Sequence, residues 1–230
     1  DPPLMADPVE VLLDALDLEP LGEDLFRGTT PRVGWQRVFG GQVVAQALSA
    51  ATRTAPADRP CNALHGDFLR PGDPDLPIDF RVARLRDGRS FTTRLVTAEQ
   101  AGRPIFTMTA TFHVREDGLE YAEPMPADVP RPDELPDEEE LKRIVAELAP
   151  ENVHRWFLRE RPIEFRPVDL SHYHDRTPLP ARQYVWLRAT RPLPDDPAIH
   201  RCVLAYLSDM TLVDTALFPH GRSVFDRDLQ

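Results

Sequence analysis

Lysine is almost absent from this chain: Lys142 stands alone, and the other 26 of its 27 basic residues are arginine. Arginine, proline, alanine and aspartate in excess is the residue usage of GC-rich coding, so the skew reads first as genomic bias. Cysteine is scarce as well. Cys61 and Cys202 give neither a disulfide framework nor the spacing of a metal site, and they fit a reducing, cytoplasmic compartment. No uninterrupted apolar run approaches the ~18 residues of a membrane helix, so no membrane partner is expected. The start, Asp1 to Met5, lacks the basic and apolar regions of a secretion signal, and Met5 is a candidate natural initiator. A G-x-S-x-G elbow, a phosphate loop and a dinucleotide glycine pattern are all missing. That disfavours a serine hydrolase and leaves no cofactor to expect. His172 and His174 have no third ligand nearby in sequence, so no metal is expected either.

What is present is ample apolar content. The chain has 230 residues, 41% of them hydrophobic, enough for one or two domains with a real core. Its net charge of −11 argues against nucleic acid or anionic lipid as a partner. That charge is concentrated: Glu116 to Glu140 holds eleven acids, one base (Arg131) and five of the 25 prolines. Such a stretch cannot bury enough apolar surface to fold alone. It predicts an extended connector, ending where Asp137 can cap a helix running to about Leu148. The expected organisation is a first unit over 1–115, a connector with a short helix over 116–160, and a second unit over 161–230.

In the first unit, Val9, Leu12, Leu13 and Leu16 have helical spacing and predict a helix over Pro8–Leu16. Short strands are expected near Asp24–Arg27 and Trp35–Phe39. Gly40-Gly41 then opens Gln42–Thr54, a nearly uncharged helix that must be covered on most sides. Strands over Ala63–Arg70, Ile78–Leu85 and Ser90–Ala98 supply the cover, with Asp87-Gly88 as a hairpin signal. The last strand alternates most clearly: Phe106, Met108, Ala110, Phe112 and Val114 face one way, threonines and His113 the other. One buried helix wrapped by an antiparallel meander is the hot-dog arrangement, in the α+β class. Strands over Pro162–Asp169 and Gln183–Ala189, then an apolar helix over Ile199–Leu217, repeat the order. The expected fold is a double hot-dog whose second unit is incomplete, since no second meander follows before Gln230.

Asp209 falls inside that second helix, with Cys202, Ala205, Leu212, Val213 and Ala216 expected on its face. A carboxylate there loses hydration worth several kcal/mol unless hydrogen-bonded. Its pKa would rise toward the range of a general base. A brace for a neighbouring loop is the structural alternative. His65, beside Asp67 on a strand, is a candidate for a substrate pocket, although a satisfied edge histidine is the commoner meaning of that pattern. His220-Gly221 reads as a helix C-cap. Asp169 and His174 have the D-x4-H spacing of hot-dog hydratases, but in a His- and Pro-rich loop without the helix and glycine context.

Several segments resemble a known family. They are Gly40-Gly-Gln-Val-Val-Ala-Gln-Ala-Leu48, His65-Gly-Asp-Phe-Leu-Arg-Pro-Gly-Asp73, Leu85-Arg-Asp-Gly-Arg-Ser-Phe91, Pro104-Ile-Phe-Thr-Met-Thr-Ala110, Ser208-Asp209 and Pro219-His220-Gly221. In this order, across nearly the whole chain, they are similar to the bacterial acyl-CoA thioesterase II (TesB-type) family. Asp67 departs from the aromatic or neutral residue usual there. The resemblance implies hydrolysis of acyl-CoA to free fatty acid and CoA by a water that an Asp, a Ser or Thr, and a Gln position. Asp209 matches the Asp. The hydroxyl and amide positions would fall past Gln230, and Thr211, Thr215 and Gln183 do not match them. Backbone N–H groups near a helix start are the expected oxyanion donors.

The resemblance makes acyl-CoA the expected substrate and a homo-oligomer the expected assembly. The chain by itself is expected to be C-terminally truncated, inactive, and prone to associate through an exposed apolar helix face and open strand edges. Two other readings stay open: a non-catalytic acyl-CoA-binding or scaffolding module, and a hot-dog hydratase.

Overall fold

The computed structural model describes residues 7–31, 37–148, 158–223 and 226. In chain order the elements begin with α1 (Pro8–Leu16), β1 (Glu19–Gly22), β2 (Leu25–Gly28), α2 (Gly40–Thr54), β3 (Cys61–Phe68) and β4 (Ile78–Asp87). They continue with β5 (Phe91–Gln100), β6 (Arg103–His113), α3 (Glu138–Leu148), β7 (Ile163–Pro167), β8 (Val185–Ala189), α4 (Pro197–Leu207) and α5 (Leu212–Leu217). Two compact units result: Asp1–Leu119 with Leu193–Asp209, and Glu120–Pro192 with Met210–Gln230. Leu193–Asp209, which the sequence reading groups with the second unit, clusters with the first.

In the first unit, Asp7 caps α1 by accepting from Val9 N at 2.8 Å, with Pro8 at the first helical position. Six antiparallel strands follow in the order β1-β2-β4-β5-β6-β3. β1 was not expected, because its four residues are all exposed and carry no alternation. The strand expected over Trp35–Phe39 lies partly outside the described residues, and Arg37–Phe39 enter α2 without strand pairing. α2 is buried at twelve of its fifteen residues, so it is the helix around which this unit closes. β6 sets Phe106, Met108, Ala110 and Phe112 into the core.

The polar residues of α2 have work inside this core. Gln46 Nε2 donates to Ala15 O (2.8 Å) and Thr29 O (3.1 Å), Ser49 Oγ to Leu16 O (2.9 Å), and Arg53 Nη1 to Leu18 O (2.7 Å). Residues 46, 49 and 53 share one helical face. That face satisfies carbonyls which the end of α1 leaves without helical donors. At the other end of α2, Arg94 is 1% exposed. Its Nη2 donates to Thr54 O and to Asp87 Oδ1, both at 2.8 Å, and its Nε to Thr54 Oγ1 at 3.0 Å. A cation thus closes the negative end of the buried helix, and its hydrogen bond holds the Asp87 carboxyl below its ordinary range.

The helix expected over Ile199–Leu217 is not continuous, and this corrects the setting first given to Asp209. α4 ends at Leu207, where Ser208 Oγ turns back to Ala205 O at 2.7 Å. Thr211 then takes φ 71° before α5 begins. Leu212 and Val213, expected to share a buried face with Asp209, are exposed. Pro197–His220 has the length and apolar composition of a membrane span, but this break divides it into shorter helical pieces.

In the second unit, Asp137 caps α3 by accepting from Glu140 N at 2.8 Å. Leu141 and Val145 of that helix pack with Phe165 and Tyr173 over the β7–β8 ladder. The acidic connector is irregular, with Leu119 and Tyr121 fully exposed. Its far end is tied down: Trp186 Nε1 donates to Pro130 O (2.9 Å) and Arg166 Nη1 to Pro132 O (2.6 Å). His172 lies against the rings of Tyr173 and Phe218, at centroid distances of 3.8 and 4.6 Å. Burial pushes its pKa from 6.5 down to about 4. The folded chain therefore holds this imidazole neutral while the unfolded chain protonates it first. His172 contributes stability above pH 6.5 that is lost as the pH falls toward 4. Denaturant melts across that window are expected to show a smaller acid-induced loss in His172→Phe than in the parent chain.

Candidate active site

The start of α2 sets the geometry. Phe39, at the N-cap, has no side chain able to accept a hydrogen bond, so the first N–H groups of a buried helix need an outside partner. Gln42 N and Val43 N turn to Phe39 O at 3.1 and 3.3 Å. Gly41 N donates to Asp209 Oδ2 at 2.9 Å, across 168 residues of sequence. The capping carboxylate missing from the local sequence is supplied by the segment after α4, at the positive end of the helix dipole. The oxyanion donors expected at a helix start are thus engaged here by Asp209 and Phe39.

Glycine is required for this approach. A Cβ on Gly41 would stand 2.3 Å from Tyr206 O and 2.6 Å from the Phe39 ring. One on Gly40 would stand 2.6 Å from Asp209 Oδ2 and 2.7 Å from Phe68 Cζ. Gly41→Ala is expected to lower unfolding free energy by roughly 1–3 kcal/mol, as read by urea denaturation. A backbone oxygen cannot swing aside as a side chain can. Gly102→Ala is the control: it meets nothing within 4 Å and has only a positive φ of 72° to strain it.

Asp209 is half-buried. Desolvation raises its pKa above the ordinary carboxylate value, while the Gly41 N–H draws it partly back. Beside it opens a cavity of about 400 Å³ whose apolar wall includes Val43, Phe68, Leu69 and Ile105, with Arg37 and Arg70 as its cations. The far wall is stitched together by backbone bonds from Leu69 N to Ile105 O (2.8 Å) and Val38 N to Gly72 O (3.0 Å). The site thus joins a carboxylate of raised basicity, a greasy wall and an opening to solvent, without a nucleophilic serine or cysteine on the wall among the described residues.

Comparison with known proteins agrees with this picture. Residues 27–113 match the family model for the acyl-CoA thioesterase N-terminal domain, and residues 153–230 the model for acyl-CoA thioesterase. Acyl-CoA thioesterase 2 of Haemophilus influenzae is 40% identical over 98% of this chain and 79% of its own length. The chain belongs to the acyl-CoA thioesterase family. An acyl-CoA thioesterase II from Mycobacterium marinum aligns with a TM-score of 0.69 at 37% identity, covering 92% of this chain and 70% of that one. A tesB protein from Mycobacterium avium subsp. paratuberculosis aligns at 0.73 and 32%, covering 93% and 74%. The α+β double hot-dog is therefore the fold of this thioesterase.

The other candidates of this thioesterase sit elsewhere. His65 lies on β3 with its side chain mostly exposed, 3.7 Å from Asp67, and is not on the wall of the cavity that holds Asp209. Asp169 Oδ1 accepts from Ser171 N at 2.8 Å and His174 Nδ1 lies 3.1 Å from Ser171 O, so their hydratase-like spacing is local turn chemistry. Gly221 takes φ 60° after the short helical turn Phe218–His220, as the C-cap reading requires. Thr215 Oγ1 is occupied with Gln183 Oε1 at 3.3 Å. Phe68 and the Gly41 N–H were missed as site components. The available signal was Gly-Gly at the head of an uncharged helix that lacks a local N-cap residue.

Proposed function

We propose that this chain hydrolyses acyl-CoA thioesters to free fatty acid and CoA, with Asp209 as the base that orients and deprotonates water. The observation that carries the reading is the Asp209 carboxylate, half-buried and bonded to Gly41 N at 2.9 Å, on the wall of the cavity. One Asp209 oxygen is held by the helix start and the other remains to receive a proton. Water delivered against the thioester carbonyl gives a tetrahedral oxyanion, and its collapse breaks the C–S bond and releases the CoA thiolate. The apolar wall suits an acyl chain, and the family relationship supports the substrate class.

The test is release of free CoA thiol from an acyl-CoA by the purified chain, with the products identified by mass. Free acid and CoA are expected, a result that would overturn the inactivity expected of the chain by itself from its sequence. Binding without turnover would favour an acyl-CoA-binding module, and water addition to an enoyl-CoA would favour a hydratase. A homo-oligomer and a cytoplasmic location belong to the same reading. The first is supported by the edge strand β3 with its exposed Leu64 and Phe68, and the second by two free cysteines.

A further inference from the structure

Phe68 is large, aromatic and 54% exposed at the end of the edge strand β3. Its ring leans on Phe106, centroid to centroid 4.9 Å. Its Cζ also borders the space beside Gly40 that the Asp209 carboxylate approaches. The point a Gly40 Cβ would occupy is 2.7 Å from Phe68 Cζ and 2.6 Å from Asp209 Oδ2. Ring edge and carboxylate therefore border the same small volume, which the absent methyl of Gly40 leaves open. The neighbouring Gly66 serves the same end: a Cβ there would strike the Phe106 ring at 2.4 Å and displace the support on which Phe68 rests.

We propose that Phe68 is a positioning residue whose ring shields one flank of the Asp209 carboxylate from bulk water and so makes Asp209 a stronger base. This deepens the reading of Asp209 as the catalytic base. An apolar ring against a carboxylate disfavours the charged form by desolvation, and the direction matches the raised pKa of Asp209. The Gly41 N–H acts the other way. Arg37 and Arg70 are the cations on the cavity wall among the described residues. Neither the α2 start (Gly40–Val43) nor the β6 stretch Ile105–Phe106 carries a titratable side chain. On α4 the titratable neighbours are Tyr206, whose ring packs on Phe39 at 4.9 Å, and the buried Cys202. The shielding by Phe68 thus opposes the Gly41 N–H, and its removal should leave that hydrogen bond dominant.

The test is carbon-13 NMR titration of the aspartate carboxyls in the 230-residue chain, with Asp209→Asn identifying the Asp209 signal. Phe68→Ala is expected to lower the Asp209 midpoint by roughly half a pH unit or more, and Phe68→Leu to keep most of the parent value. The Gly41 amide signal, which reports the bond to Asp209, should stay in place in both. An unchanged midpoint in Phe68→Ala would overturn the proposal. So would an equal fall in Phe68→Leu, or a displaced Gly41 amide, which would mean that the ring holds the carboxylate in position and does not dry it. Because the readout is a protonation midpoint, it stands apart from turnover. A catalytically silent Asp209 would be exposed by activity assays of Asp209→Asn, without changing the NMR result.

Discussion

Asp209→Asn is expected to reduce acyl-CoA hydrolysis by about 10²–10⁴-fold, the usual contribution of a positioned general base, while leaving the melting temperature equal to or above that of the parent. The two halves of this expectation come from the same geometry. Asparagine keeps an oxygen able to accept from Gly41 N, so the cap on α2 survives. It cannot take a proton from water. The stability half follows from linkage: the folded-state pKa of Asp209 is raised by burial, so the folded chain binds this proton more tightly than the unfolded chain. Ionisation therefore costs stability as the pH rises through the unfolded and then the folded value. Removing the charge removes that cost at neutral pH. Thiol-release kinetics and thermal melts of the two proteins check both halves. Undiminished turnover removes Asp209 from the mechanism, and a large drop in melting temperature makes it a structural brace.

Arg94→Ala is expected to destabilise the first unit by about 2–5 kcal/mol, the usual range for emptying a large buried side chain and leaving its hydrogen-bond partners unmet. Arg94 is 1% exposed and its guanidinium bonds Thr54 Oγ1, Thr54 O, Asp87 Oδ1, Arg86 O and Thr93 O, at distances between 2.8 and 3.2 Å. Alanine strands the carbonyl at the end of α2, leaves Asp87 without its cation and opens a cavity between helix and sheet. Asp87 is still half open to solvent, which moderates its share of the loss. Arg94→Lys restores a charge but not the planar fork, so only partial recovery is expected. Urea denaturation followed by tryptophan-independent circular dichroism measures the change. A loss under 1 kcal/mol would mean that water replaces the guanidinium without cost.

The elements of the first unit were legible because their signals are local. The spacing of Val9, Leu12, Leu13 and Leu16 announces α1, period-two alternation marks β4 to β6, and Gly40-Gly41 before an uncharged run marks α2. β1 escaped for want of any alternation in Glu19–Gly22. Arg94 was passed over although it shares the inward parity of Val96 and Ala98. Alternation says which way a side chain points, but not that a helix end waits there to receive a cation. Asp209 stands out in the sequence as an acid in an apolar run, but the sequence places it on a continuous helix. The break at Ser208–Thr211 was hidden because apolar spacing continues through it. Ser208 had a hydrogen-bonding alternative in Ala205 O, and periodicity does not weigh such competition.

The sequence by itself determined the α+β hot-dog pattern, the family and the identity of the one acid that stands out. These depend on neighbours three, four or two residues apart, or on short motifs. The tertiary structure alone decided what Asp209 does with its oxygens. Its partner is an N–H 168 residues away, reached from the turn after α4 and not from a helix face. Capping in trans, the slot opened by two glycines and the ring beside the carboxylate are all long-range contacts. No period in the chain encodes them, because they exist only once α2 is enclosed and its first N–H groups can no longer find water.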